Sequence, residues 1–112
     1  MKSISVIDLK EKFDKKEKFD LLDVREANEI SYAKIDPHIH IPIGSIVAKC
    51  EELNKEKELI VMCHTGVRSA QVCQYLETLG FNVSNLEGGI HAWSLTIAVS
   101  YTHLTLPTIL LV

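Results

Sequence analysis

Leu59-Ile60-Val61-Met62-Cys63-His64-Thr65-Gly66-Val67-Arg68-Ser69 is the stretch on which the reading of the whole chain turns. Leu59 to Met62 is an apolar, partly β-branched run that follows the charged Glu56-Lys57-Glu58, the pattern of a central strand buried on both faces. Further on, Val72, Tyr75, Leu76 and Leu79 recur at i, i+3, i+4 and i+7, an amphipathic stripe, and Gly80 stands where a C′ glycine ends a helix. Cys63 to Ser69 is therefore a loop that leaves a buried strand and enters a helix.

A cysteine so placed faces backbone N–H groups and the positive end of a helix dipole, both of which favour thiolate over thiol. Such surroundings lower a cysteine pKa from about 8.5 to roughly 3.5–7.5, and Arg68 adds a positive charge to the same cradle. Gly66 lets the loop curl with its amides inward, since a positive φ costs glycine little. Ser69 or Thr65 is positioned to cap the first helical turn.

The C-x-x-G-x-R-S pattern after a buried strand resembles the active-site loop of the rhodanese-like sulfurtransferases. Leu21-Leu22-Asp23-Val24-Arg25-Glu26 is similar to that family's Asp-x-Arg segment, and Leu86-Glu87-Gly88-Gly89-Ile90-His91-Ala92-Trp93 to its closing Gly-Gly-x-x-x-Trp segment. The three occur in the family's order and at about its spacing, so the resemblance covers nearly all of residues 1 to 97. It implies one α/β domain of rhodanese-like fold, a small, mainly parallel sheet of about five strands with helices on both faces. It also implies Cys63 as nucleophile and His64, Thr65, Gly66, Val67, Arg68 and Ser69 as the loop that binds substrate. Asp23 and Arg25 would support that loop from the sheet edge by hydrogen bonds and ion pairing.

In the implied reaction the Cys63 thiolate takes the outer sulfur of thiosulfate, or of another persulfide donor, and passes it to a thiol or to cyanide, a two-step covalent cycle. Loop amides would hold the terminal sulfur anion as oxyanion donors hold an oxyanion, and Arg68 would hold the anionic donor. The implied partners are a small anionic sulfur donor and a thiol acceptor, a sulfur-accepting protein among the options; no cofactor or metal is implied. Two other functions are weighed. Cysteine-dependent phosphatases and arsenate reductases present C-x5-R around a tetrahedral oxyanion, whereas Cys63 to Arg68 is the tighter C-x4-R. A non-catalytic rhodanese module that binds a partner protein usually lacks the cysteine, which this chain retains. Lys34-Ile35 lies where many relatives carry a histidine, so no substrate role is assigned there, although the lysine charge favours an anionic donor.

The remaining sequence agrees with a single domain. With 112 residues, 46% of them hydrophobic, the chain is long enough for one core and too short for two. A net charge of −3, with lysines and glutamates interleaved, leaves no basic field for nucleic acid. Cys50, Cys63 and Cys73 are odd in number without a C-x-x-C pair, and Met1-Lys2-Ser3-Ile4-Ser5 lacks a signal peptide's apolar core, so a reduced, cytoplasmic setting is expected. Cys50 and Cys73 read as buried hydrophobes. His64 reads as a rim residue. His38 and His40 share a strand face but lack a third ligand for a metal.

In chain order, Ser3 to Val6 reads as a strand, Ile7 to Phe13 as a helix opened near Asp8, and Phe19 to Val24 as a second buried strand. Ala27 to Ala33 reads as a short helix stopped by Asp36-Pro37, and Ile39, Ile41 and Ile43 as the apolar face of a strand. Ile46 to Leu53 reads as a helix burying Ile46, Cys50 and Leu53, and Phe81 to Leu86 as the last strand, followed by a short helix bearing Trp93. Such alternation argues for a parallel α/β sheet. From Ser94 the charged residues stop. A membrane anchor is disfavoured by Ser100, Thr102, His103, Thr105 and Pro107, and a native helix by the missing periodicity. Val99 to Thr108 resembles the translation of a transposon-type sequencing-library adapter, so residues 98–112 are read as a non-native tail after a domain spanning 1–97.

Overall fold

The apolar run after Glu58 occupies the middle of the molecule. The computed structural model describes residues 1–98. Its five strands are β1 (Lys2–Ile4), β2 (Phe19–Asp23), β3 (Ile39–His40), β4 (Glu58–Met62) and β5 (Val83–Leu86), all parallel and ordered β1-β5-β4-β2-β3. β4 is central, registered with β2 from Phe19↔Glu58 to Asp23↔Met62 and with β5 from Leu59↔Val83 to Val61↔Asn85.

Strand alternation divides β4 between two cores. Leu59 and Val61 pack with Leu22 and Val24 against Ile46 of α3 (Ile46–Lys49) and Val72, Cys73 and Leu76 of α4 (Val67–Thr78). Ile60 and Met62 pack with Leu21 on the other face, against Val6 and Leu9 of α1 (Val6–Asp14) and Ile90 of α5 (Gly89–Trp93). Phe13 closes that side with edge-on contacts to Phe19 at 5.1 Å and Trp93 at 6.2 Å between ring centroids. Leu59 to Met62 are each at most 1% exposed, as their apolar run predicts. Burying each such side chain stabilises the fold by roughly 1.5–3 kcal/mol.

Local chemistry sets the ends of the helices. Ser5 caps α1 by accepting the Asp8 N–H at 3.1 Å. α4 ends in a Schellman motif: Gly80 N–H donates to the Glu77 carbonyl at 3.1 Å and Phe81 N–H to the Leu76 carbonyl at 3.2 Å. The remaining helix, α2 (Ala27–Tyr32), buries no residue and follows the carboxyl end of β2. A capping box opens it, with Glu29 Oε1 accepting the Glu26 N–H at 3.0 Å.

Several sequence expectations are corrected. β3 pairs only at Leu22↔Ile39 and Asp23↔His40; Ile41 and Ile43 N–H still donate to the Asp23 and Val24 carbonyls, and the chain then enters a 3₁₀ turn at Ile43. Its apolar face is also incomplete: Ile41 is buried, whereas Ile39 is exposed. The helix expected over 46–53 is α3 plus a 3₁₀ turn, Cys50–Glu52, whose spacing brings Cys50 and Leu53 onto one buried face. α2 ends at Tyr32, ahead of the cis Asp36–Pro37 bond, because Ala33 is extended and its carbonyl accepts from Arg25. Leu79 is exposed, since the face α4 buries runs through Ser69, Val72, Cys73 and Leu76. Among the described residues no helix is long and apolar enough to cross a membrane. The tail assigned to residues 98–112 lies, from Val99 on, outside the described residues.

Candidate active site

Where β4 stops, the chain must turn from the sheet into α4, and Gly66 makes this possible. With φ at +103°, it occupies a left-handed conformation as the N-cap of α4, and its amide points back at Cys63, donating to Sγ at 3.1 Å. Ser69, one helical turn further on, brings its hydroxyl to 3.3 Å from the same sulfur. The expected cap from Ser69 or Thr65 is not formed: α4 has no side-chain cap, and the Ser69 hydroxyl is turned inward.

Cys63 is 1% exposed, at the bottom of this turn. Burial pushes its thiol up, but hydrogen bonds from the Ser69 hydroxyl and from the Ser69, Gly66 and Thr65 amides outweigh it, so the net shift is below the ordinary thiol value. Cys73, on the next turn of α4, has burial without those donors and is pushed up to about 12. Together with Cys50 it is a free, buried cysteine.

Two further elements hold the loop. Asn85 of β5 donates from Nδ2 to the Gly66 carbonyl at 3.1 Å and accepts the Ser69 hydroxyl at 2.5 Å. That arrangement orients the amide, since the Gly66 carbonyl can only accept. Ser69 has one hydroxyl proton, so Asn85 Oδ1 and Cys63 Sγ compete for it. On the opposite side, the start of α5 clamps the loop backbone: Ile90 N–H donates to the Cys63 carbonyl and His91 N–H to the His64 carbonyl, each at 3.0 Å. The approach is so close that a Cβ on Gly89 would lie 2.3 Å from the Cys63 carbonyl oxygen. This explains the Gly-Gly segment before Trp93. It also sets the exposed rings of His64 and His91 5.5 Å apart at the mouth.

Arg68 does not reach over an open cradle. It forms a two-pronged pair with Glu29 of α2, Nη1 to Oε1 and Nη2 to Oε2, each at 2.8 Å. The Arg68 hydrogen bonds hold the Glu29 carboxyl down to about 2. Asp23 and Arg25 are buried and paired with each other, with Arg25 Nη2 to Asp23 Oδ2 at 2.8 Å. Arg25 also donates to the carbonyls of Glu29 at 3.4 Å and Ala33 at 2.8 Å. Among the described residues Arg25 thus ties down α2 and the residue after it, and Glu29 of that helix carries the link to Arg68 in the loop.

Of the residues predicted from sequence, Cys63, Gly66 and Ser69 come together around the sulfur. His64, Thr65 and Val67 are exposed on the loop, with the Thr65 amide still directed at the sulfur. His38 and His40 are engaged separately, His38 with Asp36 and the Ile35 carbonyl and His40 with the Arg25 carbonyl. Among the described residues no group of three His, Cys, Asp or Glu side chains is placed to hold a metal ion. Sequence reasoning missed Glu29 and Asn85. Asn85 carried a signal, being a polar residue in a buried strand that must find partners. Glu29 carried only the capping-box pattern of Glu26 and Glu29, with nothing to link it to Arg68, 39 residues away.

The chain is similar in sequence and in fold to known proteins. YtwF of Bacillus subtilis (strain 168), a candidate sulfurtransferase, is 44% identical over 93 residues, 83% of this chain and 90% of its own. A sulfurtransferase of Allochromatium vinosum is 36% identical over 75 residues, 66% of this chain and 70% of its own. The crystal structure of a rhodanese-like domain protein from Staphylococcus aureus superposes with a TM-score of 0.79 at 38% identity, covering 83% of this chain and 91% of that one. Residues 5–96 match the Rhodanese-like domain family, and with a five-stranded parallel sheet and its loop at the end of β4, the chain belongs to that family.

Proposed function

We propose that the protein is a sulfurtransferase in which Cys63 carries one sulfur atom between a donor and an acceptor. The observation that carries this reading is the recessed Cys63 sulfur, held by the Gly66 amide at 3.1 Å and the Ser69 hydroxyl at 3.3 Å and shifted toward thiolate. A thiolate needs no general base, and donors already aimed at a sulfur anion suit a persulfide. The thiolate attacks the outer sulfur of thiosulfate, forming an S–S bond and releasing sulfite. With a persulfide donor the same bond forms and a thiolate leaves. An acceptor thiolate, or cyanide, then attacks the terminal sulfur of the Cys63 persulfide and restores the Cys63 thiolate. The acceptor includes a sulfur-accepting protein, since the loop lies at the surface of a single domain. The domain spans 1–97, works in the cytoplasm, and is followed by a non-native tail. Phosphoryl or arsenate chemistry is disfavoured by the C-x4-R spacing from Cys63 to Arg68, one residue tighter than the C-x5-R loop that cradles a tetrahedral oxyanion.

Intact mass spectrometry of wild type and Cys63→Ser, after exposure to thiosulfate or a small persulfide and removal of excess, tests this. One added sulfur in the wild type, absent from the variant and discharged by cyanide, is expected. An unchanged wild-type mass with both donors would overturn the reading.

A further inference from the structure

The loop has one formal positive charge, and it is already paired. Between Cys63 and Ser69, Arg68 is the sole lysine or arginine and there is no acid. Both prongs of its guanidinium meet both oxygens of Glu29 at 2.8 Å. Glu29 is not a loose surface carboxylate, because the Glu26 N–H also donates to it at 3.0 Å and Arg25 ties down the carbonyl end of its helix. Arg68 stands in the same loop, immediately before Ser69, whose hydroxyl lies 3.3 Å from the Cys63 sulfur. Its guanidinium is held above its ordinary range first by the Glu29 hydrogen bonds and, among the further causes, by the field of the Cys63 thiolate.

Those charges sum to zero for the pair and leave the thiolate held by hydrogen-bond donors, with no unpaired formal positive charge in the loop. Thiosulfate is a dianion and expels a dianion, whereas a simple alkyl persulfide brings one negative charge and expels one. Within the loop, every additional negative charge on a donor meets the Cys63 thiolate with no unpaired lysine or arginine to offset it. We infer that Glu29 is a specificity-determining residue: by neutralising Arg68 it selects singly charged persulfide donors, R–S–S⁻, over dianionic thiosulfate. This rests on the sulfurtransferase reading above, and it replaces the expectation that Arg68 holds an anionic donor. The step balances as before: the Cys63–sulfur bond forms, the donor's S–S bond breaks, and R–S⁻ leaves with the electron pair.

The test compares wild type, Glu29→Gln, Arg68→Gln and the double variant with two probes, thiosulfate and the persulfide of 2-mercaptoethanol. Sulfur loading of Cys63 is followed by quenched intact mass, and the ratio of kcat/KM for thiosulfate to that for the persulfide is the readout. Gln retains an oxygen for the Glu26 N–H, and both side chains of the pair are about a third exposed, so the fold is expected to persist. The ratio should rise about fivefold in Glu29→Gln, the factor one unit of donor charge is worth at a few ångströms in water-like surroundings. It should fall by a similar factor in Arg68→Gln and return to the wild-type value in the double variant, and added salt should shrink both changes. A ratio that is unchanged in all variants, or variants that slow both donors equally, would show a merely structural pair and overturn the inference while Cys63 still loads. A wild type that loads with neither donor is a different failure, that of the sulfurtransferase reading, and takes the inference with it.

Discussion

Asp23 and Arg25 form an ion pair sealed inside the protein, with side chains 0% and 3% exposed, whereas Glu29 and Arg68 form one at the surface, 28% and 33% exposed. Both join a carboxylate to a guanidinium through two N–H donors, and α2 touches both. The difference lies in the solvent. A buried pair has lost its hydration, so removal of one partner leaves a charge that nothing compensates, and the pair is committed to structure. An exposed pair is screened by water and contributes little to stability, which leaves its charge available for tuning a neighbouring site. The molecule thus uses one pair to hold α2 and the next to set the field at the loop.

The largest effect that would sharpen this contrast is expected from Arg25→Ala. It strands Asp23 in the core and frees the Glu29 and Ala33 carbonyls, so urea unfolding should show a loss of about 3–5 kcal/mol. Replacing Asp23 and Arg25 together by leucine and methionine should recover much of it. A loss under about 1 kcal/mol for Arg25→Ala would erase the distinction between the pairs.

Between these extremes lie the neutral hydrogen bonds under the loop. Asn85→Ala unpairs the Gly66 carbonyl and the Ser69 hydroxyl, and should destabilise by roughly 1–3 kcal/mol in the same assay while slowing sulfur loading of Cys63. Ser69→Ala removes the largest of the influences that lower the Cys63 thiol. With burial then less opposed, the pH midpoint of thiolate absorbance or of alkylation should move up. A midpoint that stays put would mean the amides alone stabilise the thiolate.

The smallest effect is expected from Glu29→Gln, under about 1 kcal/mol at neutral pH. Its pH dependence carries the sign. The folded carboxyl is held down to about 2 from an ordinary 4.5, so the pair's contribution is complete above pH 4.5 and disappears as the pH falls toward 2. The stability difference between wild type and Glu29→Gln should therefore shrink across that window. A difference that grows on acidification would contradict the pairing.

Much of this architecture could be read in advance because it depends on neighbours in sequence. The apolar run at Leu59 to Met62, the turn at Gly66 and the stop at Gly80 each follow from a few adjacent residues, and each stands where expected. Readings failed where a distant partner competed for the same group. Ser69 has the chemistry of a cap, but Asn85 and Cys63 claim its hydroxyl. Ile39 has the alternation of a strand, but β2 supplies only two paired positions beside it.

The amino-acid order was enough to specify the strand-loop-helix unit, the position of Cys63 at its centre and the family to which the domain belongs, since periodicity, turn preferences and motif spacing are local properties of a chain. The charge environment of that cysteine was not accessible in the same way. Whether Arg68 is free or paired, whether Asp23 and Arg25 touch the loop or α2, and which group takes the Ser69 proton all depend on side chains separated by many residues. Packing brought them within hydrogen-bond reach, and burial then set how strongly each charge is felt.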